Sequence, residues 1–219
     1  MPVLNRAALV AAIIGRRFPA ASQTTNAQRW LDTAYQDVWT AEDWTFKQVS
    51  RDNFAVTAGV STPTMPAAFA DATKLYDQYG SQLEYLNQDD FEDVFAASLA
   101  SSGAGPPPAY TVVNRQIHLG GAPGANATYK LSYRRRLAHK ESNGVTITAG
   151  FMDEDDDYPL WDDHHAILIP RAQAIGLLEI NDPTWEQAQQ EYERQLTRMV
   201  DDYKVRVAAD QWGRVNWYA

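Results

Sequence analysis

Apolar residues recur at helical spacing near both ends of the chain and at near-alternate spacing through its middle. Toward the C-terminus, Leu168, Ile169, Ala172, Ile175 and Leu178 fall on one face of a helix. After a break at Ile180-Asn181-Asp182, a second stripe runs through Trp185, Ala188, Tyr192, Leu196, Met199 and Tyr203. Asp182-Pro183 marks its start, because Asp is a good N-cap and proline lacks only an N–H that the first turn leaves unpaired. A helical pair is predicted over Trp161–Arg206, antiparallel because the break is short. Pro170 is expected to kink the first of the two. At the other end, Leu4–Phe18 predicts a helix that stops before Pro19. Thr25 with Gln28 has capping-box spacing and opens a second helix, whose buried face is Trp30, Leu31, Ala34, Tyr35 and Val38.

The period changes at Trp44. Residues 45–59 (TFKQVSRDNFAVTAG) carry β-branched and aromatic residues at nearly alternate positions and end in glycine. DATKLYDQ and SQLEYLNQ read as strands joined at Tyr79-Gly80, and Asp89 with Glu92 predicts a short capped helix, DFEDVFAASL, burying Phe91, Val94, Phe95 and Leu99. A triple proline follows. AYTVVNR, QIHLGGAP and ATYKLSYRRRL are three further strand-like runs at hairpin distances, and residues 138–160 read as a linker holding one further strand at most.

The expected fold class is α+β. N- and C-terminal helices form an antiparallel helical bundle (residues 1–43 and 151–206), and a small antiparallel β-subdomain (44–150) is inserted between them. Residues 207–219 form a tail for partner contact. Trp30, Leu31, Leu168, Ile175, Trp185, Tyr192 and Leu196 are the expected helical core.

Composition narrows the functional classes. The absence of cysteine excludes thiolate metal sites and cysteine nucleophiles. Apolar runs are too short to span a bilayer and no signal-peptide pattern is visible, so a soluble cytosolic product is expected. A net charge of −9 argues against duplex-DNA binding, which rests on neutralising phosphate, yet suits a surface past which DNA slides without sticking. Seven tryptophans and eleven tyrosines suit large interfaces as well as cores.

Three clusters invite chemistry. Asp153, Asp155 and Asp157 alternate as in a calcium loop, but Tyr158 replaces the required glycine and His164 the terminal glutamate, so a solvated acidic loop is favoured. Asp162, Asp163, His164 and His165 suggest zinc, but adjacent side chains diverge by about 100° on a helix, which favours a packed helix start. Neither a metal nor a cofactor is expected, and no nucleophile with a paired base stands out, so the chain is not expected to be an enzyme. Arg134, Arg135 and Arg136 end a strand; they meet a partner or guard a sheet edge by charge.

The order of segments is similar to that of a known family. RWLDTAYQDVW is followed closely by WTF; then come MPAAF, PPAYTVV, QIHLGGAP, YKLSYRRRL, PLWDDHHAILIPRA and DPTWEQAQQEYERQL. This order resembles the head-to-tail adaptor (connector, head completion) proteins of tailed bacteriophages, from about Gln28 to about Met199. The resemblance implies a structural virion protein at the head-tail junction. It implies a homo-oligomeric ring of twelve copies beneath the portal protein, a channel through which packaged DNA passes without specific binding, and a docking surface for the next tail, stopper or nozzle protein. It also implies that the tail reaches the portal, with Trp212, Arg214, Trp217 and Tyr218 as its contacts. Arg134–Arg136 and Asp155, Asp156 and Asp157 are then expected at subunit or partner interfaces. Two other readings remain open: a tail-side component of the virion, and a metal-dependent enzyme using Asp153–His165.

Overall fold

The computed structural model describes residues 3–15, 18, 23–95 and 106–212, with residues 204–212 described by main chain alone. The chain divides into two compact units, one of Met1–Phe46 with Leu137–Ala219 and the other of Lys47–Arg136.

The first unit is built on α4 (Leu168–Glu179), which packs on α1 (Arg6–Ile14), α2 (Thr24–Ala41) and α5 (Trp185–Trp212). Its side chains explain why three helices meet there. Gln173 donates to the carbonyls of Ala12 and Ile13 at the end of α1. Arg171 donates to Asp37 of α2 at 2.7 Å and to Gln189 of α5 at 2.6 Å, and its guanidinium lies 5.2 Å from the Tyr192 ring centroid. Gly176 faces the Trp30 indole so closely that a Cβ there would sit 2.8 Å from the ring. The indole N–H and Arg29 both donate to Glu179, at 2.8 and 2.7 Å. Trp30, Leu31, Ala34, Tyr35 and Val38 of α2 are buried with Leu168 and Tyr192, whereas Ile175, Trp185 and Leu196 are half-buried.

Between α4 and α5 the chain turns through Asn181, which takes the left-handed conformation (φ 53°). The Asp182 N–H returns to Leu177 O and the Asn181 N–H to Leu178 O, which pairs the last carbonyls of α4 as a Schellman motif does. Asp182 then accepts from both the amide and the hydroxyl of Thr184 to start α5. Farther along α5, the Tyr203 hydroxyl accepts from the Phe46 N–H at 2.7 Å and from Thr45 Oγ1. Its ring meets Trp44 edge-on at 5.3 Å.

A small sheet belongs to this same unit. Strands β7 (Ala138–Lys140), β8 (Ile147–Ala149) and β9 (Tyr158–Pro159) pair antiparallel in the order β8-β7-β9. Tyr35 of α2 ties it to the helices, its hydroxyl donating to Ala138 O and accepting from Leu160 N–H at 3.1 Å. The Tyr35 ring stacks on Trp161 at 4.9 Å, and burial pushes its phenol upward.

In the second unit, β1 (Gln48–Val56), β2 (Phe69–Tyr76) and β6 (Ala127–Arg135) form an antiparallel sheet with β6 in the centre. A second sheet joins β3 (Glu84–Tyr85), β4 (Ala109–Val113) and β5 (Gln116–Leu119). The β4–β5 hairpin turns on Asn114 and Arg115, both at positive φ (50° and 62°). Phe54, Leu75, Tyr110, Ile117, Leu119, Tyr129 and Leu131 fill one core. Helix α3 (Gln88–Phe95) begins on Asn87, whose side chain accepts from the Asp90 N–H at 2.9 Å.

The expected bundle is therefore corrected. The described residues hold five α-helices and three small sheets, a mixed fold in which the N- and C-terminal helices meet on α4 but do not form a clear bundle of their own. The physical reasons are local. With nine residues, α1 is too short to line a bundle, and the buried face of α2 is shared with a sheet through Tyr35. The region read as a linker is that sheet. The β-rich part is also two sheets, and one of its pairs, β3 with β4, is parallel. Pro170 produces no interior helix break, because the chain from His165 to Ile167 is a 3-10 turn and α4 begins only at Leu168. Pro170 thus lies in the first turn, where its missing N–H has no helical partner to lose. The capping at Thr25 and Asp89 is displaced as well: α2 starts after Gln23 without a side-chain cap, and Asn87 takes the role read for Asp89.

Candidate functional site

The acidic run is a folded turn that receives the start of α1. The carbonyl of Asp157 accepts from the Arg6 N–H at 2.8 Å, and that of Asp155 accepts from the Ala7 N–H at 3.0 Å. Asn5 caps the next amide, its side chain accepting from Ala8 N–H at 3.0 Å. The first-turn donors that a helix cannot satisfy internally are thus met, and the surrounding carboxylates complement the positive end of its dipole. Asp155 also lies 3.6 Å from the Arg6 guanidinium, and Asp156 accepts from the Asn5 amide at 3.4 Å.

Asp157 differs from its neighbours in being buried. Its Oδ2 accepts from the Asp153 N–H at 3.1 Å and the Glu154 N–H at 2.9 Å, which closes the turn. The same oxygen lies 3.3 Å from Nε2 of His139, a buried residue in the centre of β7, and Asp153 Oδ1 lies 3.6 Å from that nitrogen. His139 was not among the residues singled out from the sequence. It precedes the acidic run by a short stretch of chain, and the pairing of β7 with β9 folds the two together. Of the alternating aspartates, Asp155 lies toward Arg6, and His164, at the twelfth position of that spacing, pairs with Asp202.

The two adjacent histidines diverge. His165 is buried, with Nδ1 3.0 Å from Asp162 O. His164 takes a left-handed conformation (φ 60°) and points Nε2 at Asp202 of α5, 2.9 Å away. Asp162 pairs with Lys140 at 2.5 Å. Between this turn and α5 lies an open groove of about 820 Å³, bordered by His164, Arg194, Arg198 and Asp202.

In the second unit, Arg134 and Arg136 are exposed and Arg135 is half-buried at the end of β6. That strand is central, so the edge-guarding reading of these arginines is corrected. The Arg136 N–H donates to Ala68 O and its guanidinium to Ala67 O, while Arg135 bears on the Tyr133 hydroxyl. Trp212 ends α5, and Arg214, Trp217 and Tyr218 lie outside the described residues.

The SU10 adaptor protein family matches residues 4–217, spanning both units. The chain belongs to this family of phage head-to-tail adaptors. No curated protein matches it. The adaptor is accordingly a structural component of a virion, made to contact other virion proteins. Among the described residues, no helix of the adaptor is long and apolar enough to cross a membrane.

Proposed function

We propose that this adaptor assembles as a closed homo-oligomeric ring of about twelve copies beneath the portal, extends the DNA channel and presents its far face to the next tail component. Membership of the adaptor family over residues 4–217 carries the reading. A ring needs head-to-tail contacts between two different patches of each copy. Exposed Arg134 and Arg136 on one unit, and exposed Asp155 and Asp156 on the other, are patches of opposite charge suited to that role. The net charge of −9 suits a wall along which DNA moves without counterion-releasing contacts. The terminal segment, with Trp212, Arg214, Trp217 and Tyr218, supplies the portal contact, and assembly takes place in the host cytoplasm.

The test is to mix the purified chain, with and without residues 207–219, with portal rings from the same virion and to image the products by negative-stain electron microscopy. Decoration of portal by the full chain, lost on truncation, supports the proposal. Failure of the full chain to bind portal overturns it in favour of a tail-side position.

A further inference from the structure

His139, Asp153 and Asp157 offer three ligand atoms that all lie within 4.8 Å of one another. We infer that they form a structural site for a single zinc-like divalent ion, which clips the acidic turn to β7. The inference rests on this cluster and not on the portal reading.

Three observations carry it. The imidazole is only 2% exposed, and its Nδ1 lies 3.3 Å from the Gly150 carbonyl. A carbonyl can only accept, so Nδ1 carries the proton and Nε2 is the nitrogen turned toward the carboxylates; this is the way a metal-ligating histidine is usually oriented by its second nitrogen. The separations from Nε2 are 3.3 Å to Asp157 and 3.6 Å to Asp153. Both exceed the 2.7–2.9 Å or so of a charge-assisted hydrogen bond. They are close to the edge of a tetrahedron around an ion with ligand bonds of about 2.0–2.1 Å, which is about 3.3–3.4 Å. Finally, Asp157 is held in place by the amides of Asp153 and Glu154, so one ligand is fixed before any ion arrives.

One imidazole and two carboxylates select a transition ion of the zinc class over calcium or magnesium, which prefer all-oxygen shells. Asp153 is 81% exposed on its side chain and opens the site to solvent, leaving the fourth position to water. The same turn supplies the carbonyls that receive the Arg6 and Ala7 amides, so the ion would also steady the start of α1.

Titration of the chelator-stripped full chain with zinc chloride, followed by isothermal calorimetry, should give one site per chain. Bound zinc should raise Tm, since only the folded chain holds the three ligands together. Asp153→Asn, at an exposed position the fold does not depend on, should weaken the affinity by more than about tenfold. His139→Gln should do the same, and His164→Asn should leave it unchanged. The inference is overturned if the wild-type chain takes up no zinc, if zinc binding survives both Asp153→Asn and His139→Gln, or if calcium binds as tightly as zinc.

Discussion

His139 and Asp157 face each other across 3.3 Å in the interior of the helical unit, one from the middle strand of a small sheet and one from the turn that receives α1. Asp157 holds the turn closed through two amides. Asp157→Ala leaves the amides of Asp153 and Glu154 without their acceptor, and stranding buried donors in this way costs about 1–3 kcal/mol. Urea denaturation should show a drop of that order. Hydrogen exchange should quicken first at Arg6 and Ala7; unchanged protection there would show that α1 does not depend on the turn.

Gly176→Ala tests the contact between α4 and α2. Helix propensity alone favours the change by about 1 kcal/mol. The added Cβ, however, would lie 2.8 Å from the Trp30 ring. Overpacking should dominate and destabilise the protein by about 1–3 kcal/mol, with a shift in tryptophan fluorescence. A gain in stability would mean that Trp30 can move aside.

Arg171 joins α4 to α2 and α5 by two hydrogen bonds and a ring contact. Arg171→Lys keeps the charge but cannot hold both partners in the planar fork geometry. A loss of about 1–2 kcal/mol is expected from thermal unfolding. If Arg171→Lys matches the parent, the fork is dispensable.

The alkaline limb of stability should carry a signature of the second unit. Burial, chiefly, raises the Tyr110 phenol to about 12, with Asp71, Tyr85 and Tyr76 adding in the same direction. Its folded value exceeds its unfolded one, near 10, so between these the folded state binds more protons. Its contribution to stability is full below about pH 10 and is lost as pH climbs toward 12. Denaturation as a function of pH should show a shallower alkaline fall for Tyr110→Phe than for the parent. An identical slope would place the alkaline loss in other tyrosines.

Helix α2 is legible in the sequence because Ala34, Tyr35 and Val38 continue a 3.6-residue rhythm over many turns, and the start of α5 because Asp182-Pro183 is a strong local signal. What escapes the sequence is short or non-local. Strands of two and three residues, as in β7, β8 and β9, leave no alternation to detect. Helical spacing before Leu168 looks continuous with α4, although a 3-10 turn separates them. In Asn87-Gln88-Asp89-Asp90 several side chains qualify as caps, and local pattern does not choose among them. The acidic run is obvious by charge, but its relation to α1 and His139 spans well over a hundred residues in one case and a strand pairing in the other. No periodicity encodes either. The expected bundle fails for the same reason, since the Tyr35 hydroxyl recruits a sheet that only the folded chain reveals.

The turn that receives α1 does so with main-chain carbonyls, those of Asp155 and Asp157. Any residue able to adopt the turn brings those carbonyls with it. Positions 155 and 156 should therefore drift freely among related phages, gaining or shedding charge to suit whichever neighbour they meet. Positions 153 and 154 donate their amides to Asp157, so proline is forbidden at both. At positions 155 and 156, a stretch that looks defined by its acidity is constrained mainly by its backbone, which leaves those two side chains available to evolve with a partner.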